Sequence, residues 1–235
     1  MDALTSLVED LVAANRILAD HGVVDGYGHV SARHARDSNR YLLSRSRAPE
    51  LVTADDILEY DLDSNALDAR GRSLYVERFI HGEIYRARPD VTAVVHHHSP
   101  SVIPFGVSSV PLRPIYHMAA LFGDTVPVFE IRDVGVMTDL LVGTPALGRA
   151  LAQTLGARPA ALMRGHGAVV VGPSLVLAVA RSIYMEMNAR LQAQAIGLGG
   201  SVRYLAPEEV HKADATISGT LERPWELWKR KALGR

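Results

Sequence analysis

The chain has 235 residues, of which 48% are hydrophobic and 22% are charged, a balance that excludes wholesale disorder and suits a globular protein. Its formal net charge of −1 gives no electrostatic basis for binding nucleic acid or an anionic membrane. Cysteine is absent, so disulfides, thiolate metal sites and thiol nucleophiles are excluded together. The chain opens in a charged amphipathic pattern and contains no apolar stretch of about 18 residues, the length of a membrane span. We therefore expect a cytoplasmic protein that binds neither membranes nor nucleic acid.

The predicted secondary-structure elements alternate irregularly between helix and strand. Helices are predicted where apolar residues recur at three- and four-residue steps, and strands where short apolar runs lie between turn-forming residues. In chain order the predictions are a helix at 4–18, strands at 29–33, 41–44 and 58–62, a helix at 74–88, strands at 91–95 and 126–131, a helix at 145–155, strands at 160–164 and 168–171, and a helix at 174–196. Residues 207–235 form a charged amphipathic tail that carries both tryptophans. No repeat or long linker divides the chain, so we expect one domain over residues 1–235, of α/β class, with a central mixed β-sheet flanked by helices.

Three of the ten histidines are consecutive, His96, His97 and His98, and they follow a buried apolar strand. Alternate residues of a strand point to the same side, so the imidazoles of His96 and His98 share a face, whereas His97 points away. Their Cα atoms would lie roughly 6.5–7 Å apart, so both rings could bind one metal ion. The pair also stands at a strand end, where α/β sheets place their ligands. The alternative is two packed, hydrogen-bonded histidines, and His97 itself is expected to be structural.

Two further segments offer metal ligands. His166 lies between two glycines in the Arg-Gly-His-Gly sequence at 164–167, where the backbone can approach a ligand closely. Glu77 stands near the start of the helix that precedes the His96 strand, and His81 follows one turn later on the same face. Either side chain could point into the site, and Glu77 could instead be a solvated helix carboxylate. Three imidazoles and one carboxylate suit Zn²⁺, Mn²⁺ or Fe²⁺, but from the residues alone the prediction of a metal site is incomplete.

Motifs along nearly the whole chain resemble those of the class II aldolase/adducin family. The run from Glu77 to His98, the Gly-His-Val-Ser-Ala-Arg turn at 28–33 and the Arg-Gly-His-Gly turn at 164–167 match the family in order and spacing. The resemblance implies a three-layer fold, one divalent metal ion per subunit (zinc or manganese, with iron as an alternative), and His81 behind the ligands or in packing. It also implies a homo-oligomer, usually a tetramer, with active sites at subunit interfaces. The metal ligands that it implies are Glu77, His96, His98 and His166.

Two positions depart from the sugar-phosphate aldolases of this family. Those enzymes cradle phosphate with small hydroxyl residues before the metal glutamate, where this chain has Tyr75 and Val76. They also carry a Thr-Gly or Ser-Gly turn, where this chain has Arg45, Ser46 and Arg47. Because guanidinium groups bind planar carboxylates in bidentate fashion, we expect a small-molecule carboxylate substrate held by this second set. The alternative is that both arginines are solvated loop charges.

The altered residue set is similar to the decarboxylase branch of the family, which includes 3-hydroxy-2-methylpyridine-4,5-dicarboxylate decarboxylase and 3,4-dihydroxyphthalate decarboxylase. Residues 98–106 and 111–118 also look like that branch. The resemblance implies a carbon–carbon lyase that removes CO₂ non-oxidatively from a hydroxylated aromatic or pyridine dicarboxylate. A divalent metal ion would serve such a reaction as a Lewis acid.

Four further residues have candidate roles in such a reaction. Arg113 is expected to help hold the carboxylate that is retained, and His29 to orient the substrate hydroxyl. Tyr116 or His117 is the candidate general acid for the ring carbon, since a tyrosine of this region reaches the neighbouring subunit's site in family aldolases. For Tyr116 and His117, packing in the core is the alternative.

Three other functions remain open on the same residues. The first is an aldolase, epimerase or dehydratase acting on a non-phosphorylated sugar or hydroxy acid, and the second is an iron-dependent oxygenase. The third is a non-catalytic scaffold like the adducin head domain, which the four filled ligand positions disfavour.

Overall fold

The protein is described by a computed structural model over residues 2–135 and 138–234. Its strands are β1 (His29–Arg33), β2 (Arg40–Ser44), β3 (Ile57–Asp61), β4 (Ala93–His97), β5 (Val128–Phe129), β6 (Ala160–Met163) and β7 (Gly167–Gly172). They form one seven-stranded sheet in the order β3-β2-β1-β4-β7-β6-β5. Every neighbouring pair is antiparallel except β5 and β6, which run parallel. The sheet is therefore mixed, as the sequence predicts.

Helices cover both faces of the sheet. They are α1 (Ala3–Asp20), α2 (Phe79–Ala87), α3 (Ile103–Val107), α4 (Pro145–Leu155), α5 (Leu175–Gly197), α6 (Pro207–Ser218) and α7 (Glu222–Ala232). One core cluster joins α1 and α5 to one face, and a second joins α2 and α4 to the other. Alternate residues of a strand face opposite sides of the sheet, and in β4 Val94 belongs to the second cluster and the next residue, Val95, to the first. The expected three-layer α/β fold is confirmed.

Two predicted elements have different bounds in the structure. The helix predicted at 74–88 begins only at Phe79, and Glu77 lies before it in a 3-10 turn, with non-helical backbone angles of φ −87° and ψ 17°. The strand predicted at 126–131 shrinks to the two residues of β5, which lies at the sheet edge and pairs only with β6. Pro127 precedes it and has no N–H to extend the ladder, although its carbonyl accepts from Leu162. A proline therefore shortens this strand where hydropathy alone predicts six residues.

The C-terminal tail folds back on the first helix. Lys229 of α7 pairs with Glu9 and Asp10 of α1, and Trp228 meets the edge of the His21 ring at a centroid distance of 5.2 Å. The other tryptophan of α7, Trp225, also packs against the core cluster formed by α1, α5 and the sheet. Within the described ranges, none of the helices combines the length and apolar character needed to cross a membrane.

Candidate functional site

Four side chains from three separate segments meet at one end of the central strands. Glu77 comes from the 3-10 turn before α2, His96 from β4, His98 from just beyond the end of β4, and His166 from the turn between β6 and β7. The Nε2 atom of His98 lies 3.0 Å from the Nε2 atoms of both His96 and His166. Glu77 Oε2 lies 3.4 Å from the Nε2 atoms of His96 and His166. The structure thus brings together the four residues that the sequence resemblance names as ligands.

Hydrogen bonds behind the rings show that this cluster suits a cation. His96 Nδ1 lies 3.1 Å from the carbonyl oxygen of Ala168, and His166 Nδ1 lies 2.9 Å from that of Leu140. Because a carbonyl oxygen can only accept, each Nδ1 carries a hydrogen, and in the neutral form of each ring Nε2 presents a lone pair to the centre. A neutral His98 can donate to only one of these two nitrogens, so lone pairs face each other without a hydrogen between them. A bound divalent ion resolves that conflict, and a set of three nitrogens and one oxygen fits it.

The charge of the cluster also favours a metal ion. Glu77 is 7% exposed, and its Oε1 accepts a hydrogen bond of 2.9 Å from the backbone N–H of Val142, which leaves Oε2 free for the centre. Burial raises the pKa of Glu77, but His96 and His166 outweigh it and hold that pKa well below its usual range. Burial, reinforced by the same two histidines, lowers the pKa of His98 to about 4. Burial lowers the pKa of His166, but Glu77 outweighs it and raises that pKa, so the carboxylate attracts positive charge to this position. At neutral pH the cluster therefore offers a carboxylate and, at His98, an unprotonated imidazole, the forms that bind metal.

A short backbone segment, residues 139–142, holds two of these side chains from behind. Leu140 accepts from the His166 ring, and Val142 donates to Glu77. Leu140 has a φ of 71°, the left-handed region that non-glycine residues rarely adopt. This support could not be predicted from the sequence, because backbone contacts across 65 and 26 residues leave no pattern of residue types.

A cavity of about 380 Å³ opens beside the cluster. Glu77 and His98 form part of its wall, so a ligand in the cavity can reach the cluster directly. Most of the remaining wall is apolar or aromatic, which suits a flat ring. The other lining residues with chemical roles are Tyr27, His29, Ser46, Arg47 and Tyr75.

One glycine makes the close approach of the cavity wall to β4 possible. Gly28 has a φ of 90°, and a Cβ there would lie 2.7 Å from the side chain of Val24 and 3.0 Å from the His96 carbonyl oxygen. Its neighbour Tyr27 is 73% exposed and stands at the cavity with its ring 6.4 Å from that of His98. The turn thus presents an accessible aromatic ring next to His98 of the cluster.

The two arginines expected to hold substrate differ in their positions. Arg47 lines the cavity, and its Nε donates to the Leu51 carbonyl at 2.7 Å and lies 3.4 Å from Asp56 Oδ2. Neither Nη atom of Arg47 has a partner among the residues that the structure describes, so the outer edge of the guanidinium is available. Arg45 does not line the cavity, and its Nε donates to Asp56 Oδ1 at 2.6 Å. Ser46 lines the cavity between them.

Three other predicted site residues lie away from the cluster of the same chain. Arg113 places its guanidinium 4.3 Å from the centre of the Tyr204 ring. Tyr116 packs against the α1 and α5 core, where burial raises its pKa and its hydroxyl has no partner within the described ranges. His117 begins the following 3-10 turn. None of the three lines the cavity, so their expected roles depend on a second copy of the chain.

His29 reaches the cavity from β1. It also contacts His81, for which the residues alone allowed a place either in the site or outside it. Its Nδ1 lies 2.7 Å from His81 Nε2, and its ring stacks at a tilt 4.5 Å from that of Tyr75. Burial lowers the pKa of His81 to about 3, aided by His96. Both ring nitrogens of His81 are engaged, one with His29 and the other with Ser31, so His81 stays outside the cluster and supports His29 instead.

The chain is similar to known proteins in both sequence and fold. Residues 9–193 match the profile described as Class II Aldolase and Adducin N-terminal domain. The chain belongs to this family.

Curated relatives and solved structures extend that result. Decarboxylase tropJ of Talaromyces stipitatus is 34% identical over 95% of this chain and 93% of its own length. A 3,4-dihydroxyphthalate decarboxylase of Arthrobacter keyseri is 32% identical over 86% of this chain and 84% of its own. The L-fuculose 1-phosphate aldolase of Glaciozyma antarctica has the same fold, with a TM-score of 0.80 at 23% identity, covering 98% of this chain and 91% of that one. The chain is thus similar in sequence to proteins named as decarboxylases and in fold to one named as an aldolase.

Proposed function

We propose that this protein is a metal-dependent, non-oxidative decarboxylase, a carbon–carbon lyase acting on a hydroxylated aromatic or pyridine dicarboxylate. One observation carries the proposal: the Glu77, His96, His98 and His166 cluster opens on a cavity that holds both aromatic walls and a guanidinium with a free edge. The names of the two decarboxylase relatives support the choice of reaction.

The four clustered residues would hold the metal ion, either zinc or manganese, with iron as the alternative. When bound, the ion would supply a Lewis acid for the oxygens of the substrate. In the reaction the bond between the ring carbon and one carboxylate breaks, CO₂ leaves, and the electron pair left on the ring carbon takes up a proton. The protein must therefore bind one carboxylate firmly, release the other, and deliver that proton.

Arg47 is suited to the carboxylate that is retained. Its Nε is held by the Leu51 carbonyl, which leaves its two Nη atoms for a bidentate contact. Ser46 adds a hydroxyl to the same wall. Arg45 would act from behind through Asp56, which it shares with Arg47.

The walls of the cavity favour a planar ring over a sugar phosphate. Tyr75 occupies the wall next to Glu77, and its hydroxyl donates to the Arg47 carbonyl, so it offers no free hydroxyl to a phosphate. Val76 beside it has no polar group at all. Tyr27 and His29 provide further flat surfaces on which an aromatic substrate can lie.

A second copy of the chain would complete the site. Tyr116 or His117 would supply the proton for the ring carbon, and Arg113 would add a further positive charge for carboxylate. We propose a homotetramer for this reason, and its size in solution can be measured by light scattering.

The test is CO₂ release by purified protein supplemented with Mn²⁺ or Zn²⁺, on a panel of ortho-hydroxylated phthalates and pyridine dicarboxylates. His98→Ala should lose both the metal and the activity, whereas His211→Ala, an exposed histidine on α6, should keep both. Release that depends on His98 supports the proposal.

No release from protein that retains its metal would refute the proposed reaction. An assay for aldehyde products would then test the aldolase alternative, and oxygen consumption would test the iron-dependent oxygenase.

A further inference from the structure

A chain of four buried polar side chains runs from the cavity into the core, and we call it the His29 relay. His29 Nδ1 lies 2.7 Å from His81 Nε2, and His81 Nδ1 lies 2.6 Å from Ser31 Oγ. Ser31 Oγ lies 2.8 Å from the Tyr85 hydroxyl, where the relay ends. All four residues are buried, with His81 and Ser31 at 0% exposure. The relay thus has one end at the cavity and the other in the core.

The buried end of the relay fixes the direction of every hydrogen bond in it. Within the described part of the chain the Tyr85 hydroxyl has no acceptor other than Ser31 Oγ, so its single hydrogen must go there. The hydrogen of Ser31 then goes to its other partner, His81 Nδ1, which must be unprotonated. His81 therefore carries its hydrogen on Nε2 and donates to His29 Nδ1. Since His29 Nδ1 accepts, the hydrogen of His29 is on Nε2.

The opposite direction of donation, from His29 towards Tyr85, leaves the Tyr85 hydroxyl without an acceptor. If His29 donated to His81, then His81 would donate to Ser31 and Ser31 to Tyr85. The Tyr85 hydrogen would then have no acceptor in a position that is 1% exposed. A buried donor without a partner is the more costly arrangement, so the first direction prevails.

We infer that His81 is a positioning residue, which fixes His29 as the tautomer with its hydrogen on Nε2 and presents that N–H to the cavity. His29 lines the cavity, and of its two ring nitrogens only Nδ1 has a hydrogen-bond partner among the described residues. Its Nε2–H therefore serves as a donor to an acceptor oxygen of the bound ligand, either a phenolate or a carboxylate oxygen. The position cannot serve as a base, because the nitrogen that faces the ligand has no lone pair to accept a proton. This substrate role rests on the proposed function, but the tautomer itself does not.

The first experiment is ¹⁵N NMR of histidine-labelled, zinc-loaded protein, with the His29 signals assigned from a His29→Asn variant. The expected result is a single His29 tautomer protonated at Nε2. A His29 ring protonated at Nδ1 would overturn the inference, with no substrate or variant of the relay required. An inactive wild-type protein would count against the proposed function and would leave this measurement unaffected.

Two substitutions of His81 separate positioning from packing. His81→Gln keeps an amide N–H for His29 and an oxygen for Ser31, so it should keep the Nε2 tautomer and a kcat/KM within about threefold of wild type. His81→Met fills similar space without either group, so it should lose the single tautomer and roughly 10- to 100-fold in kcat/KM, the worth of one strong hydrogen bond. Metal content should be unchanged in both.

Tyr60→Phe is the matched control, since Tyr60 is another fully buried tyrosine whose hydroxyl has no partner within the described ranges. It should leave both the tautomer and kcat/KM at wild-type values. Equal values of both quantities in the Gln and Met variants would overturn the positioning role.

Discussion

The substitution Asp56→Asn tests how the cavity arginine is held in place. Asp56 is 5% exposed, and its Oδ1 accepts from Arg45 Nε at 2.6 Å. Its Oδ2 accepts from the backbone N–H of Thr53 at 2.9 Å and from the Thr53 hydroxyl at 2.8 Å, and lies 3.4 Å from Arg47 Nε. Asparagine keeps the size of the side chain and one acceptor oxygen, but it removes the charge that two guanidinium groups share. The substitution therefore measures the effect of the carboxylate charge alone.

The expected loss of stability follows from the burial of the groups involved. Breaking a fully buried ion pair costs about 3–5 kcal/mol, because a charge is left without its partner. Here the side chains of Arg45 and Arg47 are 29% and 34% exposed, so water can compensate part of the loss. We expect a decrease of about 2–3 kcal/mol in the free energy of unfolding, or roughly 1 M in the urea midpoint. KM should rise because Arg47 loses one of its two anchors, while metal content stays the same.

The assay is urea unfolding at fixed protein concentration, with KM measured on the same preparations. Asp37→Asn is the matched control, since its pair with Arg40 is exposed and should be worth less than about 1 kcal/mol. The pH dependence gives a second readout. Although burial raises the pKa of Asp56, the bonds from Thr53 and Arg45 outweigh it and lower that pKa. Its contribution is complete above about pH 4 and is lost as the pH falls, so the Asn variant should be less acid-sensitive. Equal losses for Asp56→Asn and Asp37→Asn would refute the reasoning.

Three further predictions follow from the site and its surroundings. Arg47→Ala should keep the metal and raise KM about tenfold or more, whereas Arg45→Ala should raise KM less, because only Arg47 lines the cavity; loss of metal from the Arg47 variant would contradict this assignment. Gly167→Ala would place a Cβ 2.1 Å from a carbonyl oxygen of β4, so metal content and thermal stability should both fall, and wild-type values would show that the strands yield without cost. Burial lowers the pKa of His21, aided by a nearby lysine and opposed by an aspartate, so its contribution to stability is present above about pH 6.5 and is lost as the pH falls. Tryptophan fluorescence should report this loss through Trp228, and His21→Asn should make the urea midpoint less dependent on pH below that value.

Local sequence signals predict the elements well where caps and turns agree with the apolar pattern. Helix α4 has the predicted bounds because Thr144 caps it, Pro145 begins it and Gly156 ends it. The predicted strand at 126–131 is much too long, since an edge strand with a proline beside it has few partners. The predicted start of this helix, residue 74, is wrong as well, since α2 begins at Phe79. Glu77 has a non-helical conformation, and its side chain enters the cluster.

The site is predictable where its residues are close in sequence, and not where they are distant. Spacing along one strand places His96 and His98 on a common face, and that holds in the structure. The contact of His29 with His81 joins residues 52 positions apart, and no local pattern indicates it. Thr53 and Asp56 form a capping box in the structure, but the contacts of Asp56 with Arg45 and Arg47 leave no pattern in the sequence.

Helix α2 and the turn before it connect the Glu77, His96, His98 and His166 cluster to the His29 relay. Glu77, His81 and Tyr85 are four residues apart, so they lie along one side of α2 and the turn before it, facing the sheet. Opposite them, His29 and Ser31 are alternate residues of β1 and share a face, and β1 pairs directly with β4, the strand that carries His96. The packing of α2 on the sheet thus sets the position of one member of the cluster, Glu77, and of His81, which holds His29, at the same time. His29, which we propose as the donor to the ligand, stands on β1 and belongs to neither the helix nor the cluster. A change at that position should alter what the cavity recognises and leave the four clustered side chains in place, so we expect the same cluster to be compatible with more than one reaction.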